Sequence, residues 1–244
     1  VSPRLSSLAL ALLLAGCASM APPPGAAPHA QDPWEQANRK VFAFNDAIDR
    51  AVLKPVAETY EKALPAPVRE AIDNFFSNLG DAWSAVNWLL QGQVQRGVEQ
   101  GARFAWNSTL GVGGLFDVGS QFGLDKRSQD FGQTLGAWGM GLGPYVVLPL
   151  LGPSSLRDVA ALPVNRLASN NWVISDSGSR VAAAALELVS LRASLLGAEK
   201  LVAGIALDKY TFYRDAYLQR RGARPKPEDD EGFEIVESPA SPKP

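Results

Sequence analysis

The sequence predicts an all-α domain. Apolar residues recur at helical spacing through most of residues 32–223, and prolines and glycines stand where helices begin and end. No stretch of the first half alternates apolar and polar residues long enough for a convincing strand.

Asp32-Pro33-Trp34-Glu35 reads as a helix start, with Asp32 as N-cap, Pro33 at the first helical position and an acid in the first turn. Trp34, Ala37, Val41, Phe44, Ile48 and Ala51 then share one face. Pro55 interrupts the pattern and opens a short second helix through Leu64. After the break at Pro65-Ala66-Pro67, Val68, Ile72, Phe75 or Phe76, and Leu79 restore the period. Gly80-Asp81 is expected to stop that helix and cap the next, which carries Trp83, Val86, Leu89 and Leu90 and ends at Gln91-Gly92. A helix from Gln93 presents Val94, Val98, Ala102 and Ala105. Gly152 to Asp158 reads as a turn and a capped helix, and Val181 to Leu207 as one long amphipathic helix. Asp208 to Arg221 closes the domain, with Tyr210, Tyr213 and Tyr217 as a stripe for core packing.

The middle of the chain differs. Half of the 22 glycines lie between Gly101 and Gly143, and Gly132 with Gly136, and Gly139 with Gly143, have the small-xxx-small spacing of closely packed helices. Leu135 to Leu151 holds no charged residue, while Pro144 and Pro149 exclude one straight helix. With Trp138 and Tyr145 this segment fits a re-entrant or interfacial hairpin, burial in a core being the alternative. Asp125-Lys126-Arg127 reads as a solvated loop.

At the N-terminus, Arg4, the nine-residue apolar run Leu8 to Gly16 and a small-residue cleavage site make a secretory signal peptide over residues 1–16. The run is far short of the roughly 20 residues that span a bilayer. Leu14-Ala15-Gly16-Cys17 resembles the lipobox of bacterial lipoproteins, which implies acylation of Cys17 and cleavage before it. Cys17 is the only cysteine, so disulfides within the chain are excluded. Ala18, in place of an Asp at the second mature position, implies a lipid anchor at the periplasmic face of an outer membrane. Residues 17–31 form a Pro/Ala-rich linker. Residues 224–244, with five prolines and a run of acids, read as a disordered tail.

Composition excludes several functions. The formal charge is −2 with no basic run, which argues against nucleic acid. The one histidine, His29, lies in the linker, so a histidine-dependent hydrolase has no base in the folded domain. Phosphate loops, Cys/His metal spacing and calcium loops are missing, and no cofactor, metal or catalytic residue is expected. The chain does not read as an enzyme.

Several runs together resemble one family. They include Asp32-Pro33-Trp34-Glu35, Asn38-Arg39, Phe42-Ala43-Phe44-Asn45, Lys54-Pro55-Val56-Ala57, and Asn74-Phe75-Phe76-Ser77-Asn78-Leu79. Asn87 to Gly92, Arg103 to Gly111, Gly113 to Asp117, Phe131 to Gly136, Gly143 to Pro149, and Gly152-Pro153-Ser154 with Arg157-Asp158 follow in order. Asp208-Lys209-Tyr210 and Arg214 to Tyr217 look like a closing helix. The sequence resembles the MlaA (VacJ) family of outer-membrane lipoproteins; Pro163 to Lys200 and the tail match weakly.

The resemblance implies a ring-shaped, all-helical single domain in the periplasmic leaflet, with a central amphipathic channel and trimeric porins as partners. It implies removal of misplaced phospholipid from the outer leaflet and its transfer to a soluble periplasmic carrier of the MlaC type, with no cofactor. Leu142, Tyr145, Val147, Leu148, Leu150 and Leu151 are the candidates for channel- or membrane-facing positions, the face of each being open. Gly132, Gly136, Gly139 and Gly143 would serve close packing or a hinge. The alternatives are a structural lipoprotein bound to porins without lipid transport and, more remotely, a Ser-Lys hydrolase, for which no motif is present.

Overall fold

The fold is built around a pair of long antiparallel helices. The computed structural model describes residues 29–168, 176–203 and 208–222. The signal peptide, Cys17, most of the linker, the loop around Asn170 and Asn171, and the acidic tail lie outside these residues. The elements are α1 (Glu35–Ile48), a π-helical turn (Asp49–Leu53), α2 (Lys54–Ala63), α3 (Ala66–Leu90) and α4 (Val94–Thr109). They continue with α5 (Val118–Gln121), α6 (Phe131–Ala137), β1 (Tyr145–Leu148), β2 (Gly152–Ser155), α7 (Leu156–Ala168), α8 (Ser177–Ser194), α9 (Leu196–Ala203) and α10 (Lys209–Gly222). The chain is therefore predominantly helical, as its periodicity predicts.

Several local expectations are corrected. Asp32 does not cap α1, whose N-cap is Trp34 without a side-chain bond. Asp32 is instead buried, accepting hydrogen bonds from Asn38 Nδ2 at 2.8 Å and from the Tyr210 hydroxyl, beside Arg214 at 3.5 Å. Pro55 does open a second helix, standing in the first turn of α2 with Leu64 as its C-cap, but the chain stays helical between the two. The chain passes from α1 into α2 through the π turn, whose wider backbone accommodates a proline with no N–H to donate. Gly80-Asp81 does not interrupt α3, because Asp81 is fully buried against Arg103 of α4, with Nε to Oδ2 at 2.9 Å. The expected single helix from Val181 is divided at Leu195, and residues 204–207 lie outside the described residues. The break after Gln91 holds: Gly92 takes φ +76°, and Gln93 N–H bonds Trp88 C=O at 2.9 Å.

The uncharged middle segment contains strands that periodicity does not show. β1 and β2 pair antiparallel, from Tyr145 opposite Ser155 to Leu148 opposite Gly152. Alternation along β1 buries Tyr145 and Val147 against Tyr210, Tyr217 and Leu218 of α10, with Phe42 and Leu142 packed alongside. The tyrosine stripe thus packs the core at two of its three positions. Ser155 caps α7, accepting from the Asp158 N–H at 3.2 Å.

The interior between α3 and α4 is polar. Gly97, Gln100, Arg103 and Asn107 form the buried face of α4. Arg103 donates to Asp81, to Ser120 Oγ at 2.8 Å, to the Leu124 carbonyl at 2.7 Å and to Asp117 at 2.7 Å. Burial alone would push the Asp117 carboxyl up, but donors on Ser120 and Arg103 outweigh it and hold it down at about 2. The segment around Lys126 is not a free loop. It straps across the pair: Gln100 Nε2 bonds Asp125 C=O at 2.7 Å, Trp88 Nε1 bonds Arg127 C=O at 2.9 Å, and Lys126 Nζ bonds Ser77 Oγ.

Candidate functional site

The apolar stripe that the sequence places on α4 faces outward. Val94 and Val98 are each 61% exposed, while Gln100, Arg103 and Asn107 further along the helix point into the protein. Leu89 lies across Gly97, where an added Cβ would come within 2.6 Å of its side chain, so the apolar surfaces of α3 and α4 merge. Trp106 packs at a tilt against Phe122 with ring centroids 5.5 Å apart, and Leu110, Val112 and Phe116 are exposed too. Across the molecule, Val181, Leu188 and Leu191 of α8 are exposed while Ser190 and Ala193 face inward.

Among the described residues, 16 buried residues are polar or charged and 12 are apolar, four of those being alanine. A domain dissolved in water buries its large apolar side chains and seldom exposes a continuous apolar surface. This domain has the reverse polarity, which suits a surrounding of lipid. No helix among the described residues is long and apolar enough to cross a membrane.

The hairpin is held to α1 by two asparagines. Asn38 donates to Tyr145 C=O at 3.1 Å and accepts from Val147 N–H at 2.9 Å. Asn45 donates to Leu148 C=O at 2.9 Å and accepts from Leu150 N–H at 2.8 Å. Leu150 has φ +63° and is 70% exposed, and Leu151 beside it is exposed too.

The six candidate residues therefore divide by environment. Tyr145 and Val147 point into the tyrosine core, and Leu142 packs at its edge, so these positions hold the hairpin together. Leu148 and Leu151 line a cavity of about 140 Å³ under the hairpin, with Asp158, Tyr217 and Arg221. Only Leu150 and Leu151 present their side chains on the outer surface. Of the four glycines, Gly132 and Gly136 face α7, where an added Cβ would meet Asp158 Oδ1 at 2.4 Å and an Arg157 guanidinium nitrogen at 2.5 Å. Gly139 and Gly143 take φ of +99° and +69° in the turns after α6.

Sequence reasoning did not find a cleft formed where α2, α3 and α8 meet. Its outer part is an apolar groove of about 440 Å³ lined by Pro55, Val56, Thr59, Tyr60, Ala63 and Val189. Its inner part, about 150 Å³, is polar and bears Arg69, Glu70, Asp73 and Ser190. Tyr60 lines both. The Tyr60 hydroxyl lies 3.0 Å from Ser190 Oγ, which donates to Asp73 Oδ1 at 2.5 Å. The residues of α2 and α3 are close in sequence, but those of α8 lie more than 100 residues away, and the spacing within each helix is that of any amphipathic surface. Among the described residues no group of His, Cys, Asp and Glu could hold a metal ion.

Comparison with known proteins agrees with this architecture. The sequence profile of the family described as MlaA lipoprotein matches residues 30–224. The chain is 34% identical over 250 residues to the Escherichia coli protein named intermembrane phospholipid transport system lipoprotein MlaA, covering 96% of this chain and 95% of that one. It is 40% identical over 139 residues to an uncharacterised Rickettsia typhi protein, a match that spans 57% of this chain and only 55% of the relative. A solved structure described as the structural basis for maintenance of bacterial outer membrane lipid asymmetry matches with TM-score 0.69 and 36% identity. That match covers 78% of this chain and 96% of the other.

Proposed function

The chain belongs to the MlaA lipoprotein family, and from that premise we propose that it serves phospholipid transport that maintains the lipid asymmetry of the outer membrane. It removes phospholipid misplaced in the outer leaflet and passes it to a soluble periplasmic carrier. The observation that carries this reading is the reversed polarity of α4, with Val94 and Val98 outward and Gln100, Arg103 and Asn107 inward.

The physical problem is the cost of exposing acyl chains. Two tails, roughly 30 methylenes at about 0.8 kcal/mol each, would cost on the order of 20 kcal/mol in water. Transfer needs an apolar route beside a polar one. Helices that face lipid with one side and bury amides and charges with the other supply both, as in a ring around an amphipathic channel. The work is movement of a lipid with no bond made or broken.

In the same reading Cys17 carries the acyl anchor, holding the domain in the periplasmic leaflet next to trimeric porins and within reach of the carrier. Deleting the gene and measuring phospholipid in the outer leaflet tests the function. Accumulation of surface phospholipid, reversed by the intact gene and not by a Cys17→Ser form, is the expected result. Unchanged surface phospholipid would leave a structural role alongside porins as the better reading.

A further inference from the structure

We propose that the cleft between α2, α3 and α8 binds one phospholipid with a zwitterionic headgroup bearing a primary ammonium, of the phosphatidylethanolamine class. The proposal rests on the phospholipid-transport reading and adds to it the headgroup and the residues that select it.

The polar part of the cleft carries both signs of charge. Arg69 lines this pocket, its Nε is buried without a hydrogen-bond partner, and among the described residues its guanidinium makes a loose ion pair to Glu61, with NH1 to Oε1 at 3.5 Å. A buried guanidinium donor without an acceptor is costly. A phosphate oxygen in the pocket would give the terminal nitrogens of the Arg69 guanidinium an acceptor closer than Glu61. Glu70 and Asp73 line the same pocket. Asp73 is held in place, its Oδ1 accepting from Ser190 Oγ while Ser190 lies against the Tyr60 hydroxyl.

One cation beside two carboxylates does not suit an anionic headgroup, which would bring its charge against Glu70 and Asp73. A phosphate linked to an ammonium meets complementary charge at both ends. The N–H bonds of a primary ammonium can be donated to carboxylate oxygens. A quaternary ammonium has none to donate and is best held by several aromatic faces, whereas among the described lining residues Tyr60 is the one aromatic.

The apolar groove on the other side of Tyr60 gives the occupant its orientation. Pro55, Val56, Ala63 and Val189 line an open apolar groove of about 440 Å³. It accommodates part of one acyl chain. Tyr60 stands where the glycerol region would lie, with its ring toward the chain and its hydroxyl in the polar network.

The test uses the full-length lipoprotein in detergent micelles, with dioleoyl phosphatidylethanolamine and dioleoyl phosphatidylglycerol competing in native mass spectrometry. Because the acyl chains are identical, the ratio of bound species reports the headgroup alone. Wild type should favour phosphatidylethanolamine by about tenfold, equivalent to about 1.4 kcal/mol. Arg69→Gln should weaken both lipids, and the pair Glu70→Gln with Asp73→Asn should turn the ratio toward phosphatidylglycerol. Arg69→Lys, which keeps the charge without the fork, should bind more weakly with the preference retained. A ratio unchanged in the Glu70/Asp73 variant, with thermal unfolding as in wild type, would overturn the proposal. Wild-type protein that binds neither lipid would instead remove the transport reading beneath it.

Discussion

Asn38 and Asn45 stand seven residues apart on α1, and each brackets one residue of the hairpin by bonding the carbonyl before it and the N–H after it. The bracketed residues are Val146 and Pro149. Seven residues of helix rise about 10.5 Å, and three residues of extended chain span about 10 Å. Two side chains on one helical face therefore take the place of a neighbouring strand along the open edge of β1.

Replacing Asn38 with alanine should remove three hydrogen bonds, two to the hairpin backbone and one to Asp32, and leave a buried carbonyl and N–H unpaired, at a cost of about 2–3 kcal/mol. Asn45→Ala, nearer the surface, should cost about 1 kcal/mol. Denaturant unfolding of the detergent-solubilised protein measures both. Equal effects at the two positions would contradict the difference in burial.

Leu150 holds a left-handed conformation with its side chain in the open. Such a conformation costs a non-glycine residue on the order of 1 kcal/mol. Leu150→Gly is expected to raise stability while lowering lipid transport, because it relieves strain and removes an outward apolar side chain. A variant that transports normally would make the leucine dispensable at the hairpin tip.

Arg103 joins Asp81, Asp117, Ser120 and the Leu124 carbonyl. Arg103→Ala should destabilise the domain by about 3 kcal/mol, since buried Asp81 loses its hydrogen-bonded partner and keeps only Lys126 Nζ, at 3.7 Å, as a counter-charge. Arg103→Lys should rescue little of this, because an ammonium cannot reach four acceptors spread around a planar fork. Rescue to near wild-type melting would show that charge alone matters here.

The same network sets an acid limit. Asp117 titrates at about 2 in the folded protein, against roughly 3.9 when unfolded. Its folded form binds protons less readily, so its contribution to stability is complete above about pH 4 and is lost as pH falls through 2. Asp117→Asn should lower stability at neutral pH and flatten its fall between pH 4 and 2. Parallel acid limbs in the two proteins would assign the transition to other carboxylates.

Val94→Asp combined with Val98→Asp probes the outward face. Surface substitutions usually change stability by less than about 0.5 kcal/mol, and the folded protein in detergent should be near wild type. In a bilayer, however, each carboxylate would replace an apolar contact with lipid, at about 2.5–3.5 kcal/mol if placed at the depth of a membrane core. Loss of lipid transport with unchanged folding is the expected result, read from outer-leaflet phospholipid in complemented cells.

Much of the architecture is legible in local chemistry. Prolines and glycines mark the start of α3 and its end at Gly92, and the spacing of Tyr210 and Tyr217 marks the packed face of α10. The order of the family's runs needs no tertiary information. Local pattern says which residues share a face but not what that face meets. Periodicity therefore marks Val94 and Val98 as one stripe, and only the assembled helices show that the stripe is outside and Arg103 inside.

Asp32, Asp81 and Asn38 escape the same reading for one reason. Each has a partner distant in sequence: Tyr210, Arg103 and the hairpin backbone. A short polar side chain looks like a cap or a turn until that partner is known. The hairpin is likewise decided from outside, since four-residue strands have too few positions for alternation to register and are secured by α1 and α10. The cleft around Tyr60 arises only when α2, α3 and α8 converge. Sequence by itself determined most of the helices and the family; burial, the hairpin and the cleft around Tyr60 were decided by contacts between remote segments, whose energies no local pattern contains.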